Sequence, residues 1–250
     1  MLKEERLDYI LKKLGVDNKV LSTQLSKLLK VSDDTVRRDL HELSIKGLIK
    51  KVHGGAIPKT SIPLNYNERS NYSEEEKHDI AKKALSLIKE NQVIIIDGGT
   101  TALEVVRLMP IKFKATIFTN SLPVAMELTD YPNINLILLG GTVLKRSKVT
   151  IGLENINTLE GIRADLMLLG ITSIHPEIGL TLTNWEESKV KKKMIEVSNK
   201  VIALATNDKL DRADNYFVCS YKDIDILILD KNIDPIKLES YQNKGVEVLY

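Results

Sequence analysis

Six short segments of almost unbroken Val, Ile and Leu recur between residues 93 and 229, and they restrict the fold more than any other feature. Strands that are aliphatic on both faces are typical of a parallel sheet covered on both sides. Helical patterns separate these segments, which predicts a doubly wound, mostly parallel α/β domain. The predicted strands span residues 93–97, 114–119, 134–139, 165–169, 200–205 and 224–229, and the predicted helices span residues 74–90, 101–109, 121–130 and 184–198.

The first 47 residues show three helical patterns and no such strands. In the third pattern, Val36, Leu40 and Leu43 follow each other at positions i, i+4 and i+7, which places them on one buried stripe. Ser32 precedes this helix as a suitable N-cap. A short helix, a tight turn and a capped third helix predict a helix-turn-helix unit.

The face opposite the stripe carries Thr35, Arg37 and Arg38 at the start of the third helix, and these three residues together with Ser32 are candidates for DNA binding. A recognition helix presents such residues to the major groove, where arginine binds guanine or phosphate. The alternative is an exposed arginine pair that only solvates a helix. The cap, the turn and the phase of the stripe favour DNA binding.

Residues 48–57, LIKKVHGGAI, predict a strand and a glycine turn, and therefore a β-wing beside the helices. Glycine lets main-chain amides approach phosphate closely. The wing adds four candidate DNA-binding residues, of which the histidine has a structural role as its alternative. These candidates are Lys50, Lys51, His53 and Gly54.

The charge is unevenly divided along the chain. Residues 1–58 hold 12 Lys and Arg against 8 Asp and Glu, a net charge of +4, whereas the remainder holds 24 against 26. A basic head on a mildly acidic body indicates that the head binds a polyanion, although an ordinary solvated face would also account for four charges.

The run from Val31 to Leu43 and the run GLIKKVHGGA resemble the DNA-binding domain of the DeoR family of bacterial repressors. The matching positions include the valine-serine pair, the threonine, the arginine-arginine-aspartate-leucine run and the histidine-glycine-glycine-alanine end of the wing. They are Val31, Ser32, Thr35, Val36, Arg37, Arg38, Asp39, Leu40, His53, Gly54, Gly55 and Ala56.

Polar turns follow three of the predicted strands: DGGTT at 97–101, TNS at 119–121 and GGT at 140–142. In the first turn, amide groups, threonine hydroxyls and a helix dipole converge, which favours an anion such as phosphate. The carboxyl ends of parallel strands share one edge, so three such turns predict a pocket there. The spacing is neither that of a P-loop nor that of a dinucleotide fingerprint, so we expect neither ATP nor NAD.

Residues 75–231 resemble the C-terminal sensor domain of the same family, which is similar to ribose-5-phosphate isomerase and binds phosphorylated sugars. The resemblance implies that Thr100, Thr101, Thr119 and Asn120 line the pocket and that two lysines are candidate partners of phosphate or carboxylate. By residue type, Lys191 in KVKKK is typical of a solvated helix face, which leaves Lys209 as the better candidate. The full candidate set is Asp97, Gly99, Thr100, Thr101, Thr119, Asn120, Gly140, Gly141, Thr181, Lys191 and Lys209.

Two departures from the family pattern bear on catalysis. Thr172 stands where the isomerase-like pattern has an acid, and Thr206-Asn207-Asp208 replaces aspartate-serine-serine before Lys209. Isomerisation needs a positioned general base, so the loss of an acid indicates binding without turnover. We therefore expect no enzyme.

The organisation that follows is a winged helix-turn-helix domain at 1–57, a linker at 58–73 and an α/β effector-sensing domain at 74–250. We expect no cofactor and no metal, because the histidines do not cluster and Cys219 is the single cysteine. The longest apolar runs are about five residues, against about 20 for a membrane span, and the N-terminus lacks a signal-like apolar core. These features predict a cytoplasmic protein.

The leading hypothesis is a DNA-binding transcriptional regulator, a repressor of a sugar-metabolism operon that binds double-stranded operator DNA as a dimer or tetramer and leaves it when a phosphorylated sugar binds. One alternative is a sugar-phosphate isomerase-like enzyme with a DNA-binding appendage. The other is a DNA-binding protein whose α/β domain only oligomerises.

Overall fold

The structure, a computed structural model, describes residues 2–17, 20–45, 48–52, 54–58, 65–242 and 244–250. The chain divides into two units, Met1–Ile62 and Pro63–Tyr250. The described helices and strands of the first unit are α1 (Lys3–Asp17), β1 (Val20–Leu21), α2 (Ser22–Leu29), α3 (Asp33–Ile45), β2 (Ile49–Val52) and β3 (Gly55–Pro58).

The three helices of the first unit pack around one aliphatic core. Val36, Leu40 and Leu43 are at most 1% exposed, so the stripe predicted for the third helix is its buried face. The strands form an antiparallel sheet in the order β1-β3-β2. The first unit is therefore a winged helix-turn-helix with a short additional strand, β1, that the sequence did not predict.

The second unit begins with two helices and then alternates between strands and helices. Its helices and strands are α4 (Tyr66–Ser70), α5 (Glu74–Leu85), β4 (Val93–Ile96), α6 (Thr100–Leu108), β5 (Ala115–Thr119), α7 (Leu122–Leu128), β6 (Ile134–Leu138), β7 (Thr142–Leu144), β8 (Val149–Ile151), α8 (Leu153–Glu160), β9 (Leu166–Gly170), β10 (Ser173–His175), β11 (Gly179–Leu182), α9 (Trp185–Glu196), β12 (Val201–Ala205), β13 (Tyr216–Cys219), β14 (Ile226–Leu229), α10 (Pro235–Gln242) and β15 (Glu247–Leu249).

The central sheet has seven strands in the order β15-β14-β12-β9-β4-β5-β6. Every pair in it is parallel, which confirms the predicted doubly wound fold. The chain starts at β4, builds one half through β5 and β6, and then returns to β9 to build the other half. Strands β4 and β9 therefore flank the switch point, where open α/β sheets bind ligands.

Each predicted aliphatic segment supplies residues to both faces of this sheet. Ile94 and Ile96 pack into one core with α5 and α6, whereas Ile95 packs into the other core with α8 and α9. Successive strand residues point to opposite faces, so a strand covered on both sides has to be aliphatic throughout. Two small antiparallel sheets, β10-β11-β13 and β7-β8, were not predicted.

The segment predicted as a linker, residues 58–73, contains the helix α4. The side chain of Asn65 accepts the Glu68 amide and Glu68 accepts the Asn65 amide, so the two residues form a capping box. Tyr66 is 5% exposed and belongs to the core that also contains Ile80. Residues 66–70 are therefore a packed part of the second unit.

The searched part of the chain, which leaves out the undescribed positions, contains no helix long and apolar enough to cross a bilayer. Over the same residues, no group of three or more His, Cys, Asp or Glu side chains is placed to hold a metal ion.

Candidate functional sites

The turn between α2 and α3 is built by local hydrogen bonds. Lys30 adopts a left-handed conformation with φ 53°, and Ser26 Oγ donates to the Val31 carbonyl at 2.8 Å. The Thr35 amide donates to Ser32 Oγ at 3.2 Å, so Ser32 caps α3 as the sequence predicts. This turn fixes the direction in which α3 leaves α2.

The outer face of α3 carries Asp34, Arg37, Arg38 and His41, all of them exposed. Arg38 lies within 3.9 Å of Asp34, one helical turn earlier. His41 was not among the candidate residues, although its spacing of four from Arg37 places it on the same stripe. Side chains on this face reach base edges when such a helix enters the major groove.

Asp39 lies within the arginine-arginine-aspartate-leucine run but faces inward. Its carboxylate accepts two hydrogen bonds from Arg6 on α1, from Nε at 2.8 Å and from a terminal nitrogen at 3.1 Å. The Asp39 side chain is 3% exposed. This bidentate ion pair fixes α3 to α1 and gives the aspartate of the motif a structural role.

We expect Asp39→Ala to lower the free energy of unfolding of the first unit by about 2–4 kcal/mol, because it leaves the Arg6 guanidinium without its carboxylate. Asp34→Ala, on the exposed face of the same helix, is the matched control and is expected to cost less than about 1 kcal/mol. Urea unfolding followed by circular dichroism measures both. Equal stability of the two variants would show that the buried pair does not fix α3.

The wing turns at Gly54, whose φ of 80° lies in the region that favours glycine. The Ser22 amide donates to its carbonyl at 2.8 Å, which ties the turn to the start of α2. Lys51 is exposed on β2, and Lys50 lies on the same strand. His53 lies outside the described residues.

The second unit contains a cavity of about 40 Å³ at the sheet's switch point. The turn after β4 and the turn after β9 meet there, and a Cβ atom added to Gly170 would lie 2.6 Å from the Gly98 carbonyl oxygen. The lining residues are Arg69, Tyr72, Lys77, Gly98, Gly99, Thr100, Thr101, Ser147, Gly170, Ile171, Thr172, Glu187, Lys191, Leu204, Thr206 and Lys209.

The first turn of α6 opens onto this cavity with Thr100 and Thr101. The first amide groups of a helix have no partner within the helix, and its dipole favours negative charge at that end. The DGGTT turn thus supplies two threonines and a helix N-terminus to the cavity wall, and anion binding there stays a prediction.

Besides Lys191, which is paired with Asp97, three cationic side chains line the same cavity: Arg69 from α4, Lys77 from α5 and Lys209 after β12. Burial lowers the pKa of Lys77 to about 8, and the neighbouring positive charge of Lys209 acts in the same direction. Burial also lowers the pKa of Lys209 and of Arg69. A bound anion would relieve this accumulation of positive charge.

Lys209 is held by residues that depart from the family pattern. Its Nζ lies 2.9 Å from the Asp208 carboxylate, and the Thr206 hydroxyl donates to the same carboxylate at 2.5 Å. Asn207 is fixed in turn by Asp230, which accepts its amide at 2.9 Å. The sequence Thr206-Asn207-Asp208 therefore forms a cradle that orients Lys209.

The interpretation of Lys191 as part of a solvated helix face is wrong. Its side chain is 2% exposed, and Nζ donates to Asp97 Oδ2 and, at 2.8 Å, to the Gly170 carbonyl. The Gly170 amide donates to the same Asp97 oxygen at 3.0 Å. Lys191 and Asp97 neutralise each other beneath the cavity and join the turn after β4 to the turn after β9.

Glu187 is a carboxylate in the cavity wall that the sequence reasoning missed. Burial raises its pKa, while Lys191 acts in the opposite direction. Its spacing of four from Lys191 on α9 was the available signal, because the two side chains share one face of the helix.

Six candidate effector residues are not among those that line the cavity, contrary to expectation, and Asp97, held by Lys191 as described above, is one of them. Thr119 and Asn120 are fully buried and donate to the carbonyls of Ile96 and Thr150. Thr181 Oγ1 accepts the Asp214 amide at 2.7 Å. Gly140 and Gly141 adjoin Asn155 instead, whose side-chain amide donates to the Gly140 carbonyl. The cavity does include Gly99, Thr100, Thr101, Lys191 and Lys209.

Comparisons with known proteins match both units. The profile of the DeoR-like helix-turn-helix domain covers residues 6–61, and that of the DeoR C terminal sensor domain covers residues 72–231. The chain is 37% identical to the HTH-type transcriptional regulator GolR of Listeria innocua, over 98% of this chain and 97% of that protein. It is 35% identical to the HTH-type transcriptional repressor GlcR of Bacillus subtilis, over 100% and 96%. Ribose 5-phosphate isomerase A of Methanocaldococcus jannaschii matches with a TM-score of 0.41 and 19% identity, over 55% of this chain and 54% of that chain.

Proposed function

The chain belongs to the DeoR family of DNA-binding transcriptional regulators, and on that premise we propose that it is a repressor which leaves its operator when a phosphorylated sugar enters the switch-point cavity. The relative GlcR is named a repressor, which supports this direction of control. The observation that carries the ligand class is that the N-terminus of α6 and the side chains of Arg69, Lys77 and Lys209 line one cavity.

Operator binding requires two copies of α3 about one DNA turn apart, as in other helix-turn-helix proteins, so we propose a homodimer or a tetramer on the DNA. A ligand weakens this complex only if it binds the DNA-free form more tightly. The proposed repressor therefore has a sensing unit whose ligand-bound form is incompatible with the operator geometry.

We expect Lys209→Gln to weaken the effector about 10- to 100-fold, because one charge-assisted hydrogen bond to phosphate contributes about 1.5–3 kcal/mol. Pentose and hexose phosphates, each paired with its unphosphorylated sugar, are screened for release of the native promoter duplex by fluorescence anisotropy. Lys222→Gln, an exposed lysine outside the cavity lining, is the control. If no sugar phosphate in the screen changes operator affinity or thermal stability, the proposal that the second unit senses a phosphorylated sugar is wrong.

One observation favours the enzyme alternative. Glu187 lies in the cavity, and burial raises its pKa, the direction in which enzymes shift a carboxyl group that serves as a general acid or base. Against it, Asp97 is occupied by Lys191, and Thr172 stands beside Gly170 without a carboxylate. We assign Glu187 to the hydroxyl groups of the sugar. Steady turnover of a pentose or hexose phosphate that is lost in Glu187→Gln would reverse this assignment.

A further inference from the structure

Helix α4 supplies part of the wall of the switch-point cavity. Arg69 on α4 and Tyr72, two residues beyond it, are lining residues. Lys77 on α5 also lines the cavity, and its Nζ donates to the carbonyls of Arg69 and of Ser70, the latter at 3.4 Å. One lysine therefore lies in the cavity wall and ties the end of α4 to α5.

The guanidinium of Arg69 has unused hydrogen-bonding capacity. Its Nε is enclosed and has no hydrogen-bond partner among the described residues. Leaving a buried donor unpaired costs about 1–3 kcal/mol, and more when the group is charged. Glu187 contributes opposite charge nearby, yet the Arg69 Nε donor has no hydrogen-bond partner among the described residues. An acceptor that enters the cavity would satisfy this donor.

The cationic side chains in the cavity wall favour a phosphate group as the hydrogen-bond acceptor. The planar fork of arginine matches the oxygens of phosphate, and a lysine adds a compact positive charge. Burial lowers the pKa of Lys77 and of Lys209, and the nearby positive charge of Arg69 lowers both further. An anion of charge near −2 compensates this cluster better than a carboxylate does.

We propose that Arg69 and Lys77 complete a phosphate subsite with Lys209 and the N-terminus of α6, so that a bound phosphate holds α4 directly. This inference rests on the proposed function, because it concerns the same cavity. It adds that the ligand binds the first described helix after the DNA-binding unit along the chain. Coupling between two sites requires a ligand that interacts differently with the two states of the protein, and a ligand that contacts α4 can do so if α4 differs between them.

The cavity is too small to admit a sugar phosphate without a rearrangement of its wall. A volume of about 40 Å³ is far below the roughly 300–1,000 Å³ of ordinary ligand sites. A sugar phosphate enters only if the wall is rearranged, and α4 is a wall helix of five residues. We therefore expect the position or mobility of α4 to differ between the free and the ligand-bound protein.

The test uses the full chain with inorganic phosphate as the first probe, followed by sugar phosphates and their unphosphorylated sugars in isothermal titration calorimetry. We expect Arg69→Gln and Lys77→Gln to weaken phosphate and sugar phosphate at least tenfold. Arg107→Gln is the matched control, because Arg107 on α6 pairs with Glu127 at 3.3 Å and does not line the switch-point cavity. Tighter binding of a sugar phosphate than of inorganic phosphate identifies the phosphorylated sugar as the ligand.

A second measurement on the wild-type chain decides the matter if a variant does not fold. We expect phosphate to slow amide hydrogen exchange in residues 66–72. Unchanged exchange there, or wild-type affinity in both variants, would overturn the inference while the proposed function stands. If the wild-type chain binds no phosphate and no sugar phosphate, the proposed function itself fails.

Discussion

Replacing Arg37 by alanine is expected to weaken operator binding about 5- to 150-fold, the equivalent of about 1–3 kcal/mol for one lost base contact. Arg37 is exposed on the outer face of α3, where a helix-turn-helix protein reads base edges. Fluorescence anisotropy with the native promoter duplex at fixed salt concentration measures the change. A duplex with one substituted base pair in the half-site shows whether the contact reads sequence, because a base contact loses discrimination at that position when it is removed.

Lys12→Ala is the control for the loss of one positive charge from the same unit, since Lys12 is exposed on α1 and not on α3. We expect it to lower affinity slightly and equally for all duplexes, as charges that act on phosphate do. Arg38→Ala is compared in parallel, because Asp34 lies 3.9 Å from the Arg38 guanidinium. Undiminished operator affinity in both arginine variants would exclude α3 as the recognition helix.

Replacing Lys191 by methionine is expected to lower the free energy of unfolding of the second unit by about 3–5 kcal/mol. Methionine fills the space of the lysine stem, but the variant leaves the Asp97 carboxylate, 1% exposed, without its positive partner. Lys192→Met is the matched control, because Lys192 is exposed on the same helix and is expected to change stability by less than about 0.5 kcal/mol.

Urea unfolding followed by the fluorescence of Trp185 measures this effect. Trp185 is the single tryptophan of the chain, so it reports the second unit alone. The double variant Asp97→Asn, Lys191→Met removes both charges, and we expect it to be more stable than Lys191→Met by more than about 1 kcal/mol. Equal stability of Lys191→Met and Lys192→Met would show that the Lys191–Asp97 pair does not stabilise the second unit, as expected if Lys191 lay on a solvated helix face.

The central sheet was predictable because its strands are aliphatic without interruption. A residue such as Ile95 contacts one core while its neighbours Ile94 and Ile96 contact the other, and the sequence records that arrangement directly. The small sheet of β10, β11 and β13 was not predictable, because it is joined by pairings such as Leu180 with Cys219 that are distant in the chain. Such strands, of three or four residues, are too short for a periodic signal.

The cavity was predictable only in part. The glycine-threonine turn at 97–101 identified one wall, since amide groups at a helix N-terminus follow from the sequence. The burial of Lys191 was not visible, because Asp97 is 94 positions away along the chain. Arg69 and Lys77 were missed because a connector and an amphipathic helix give no sign of which cavity their charges enter. Thr119 was wrongly assigned to the cavity, because a polar turn at a strand end does not reveal that the Thr119 hydroxyl donates to the Ile96 carbonyl of the neighbouring strand.

The buried ion pair between Arg6 and Asp39 bears on how this protein could be engineered to bind new operator sequences. Along α3, positions that hold the fold, such as Val36, Asp39 and Leu40, alternate with exposed positions such as Arg37, Arg38 and His41. We expect substitutions confined to the exposed set to change base preference without removing a buried contact. Within this one helix of 13 residues, the side chains available for base contacts are therefore different from those that stabilise the fold.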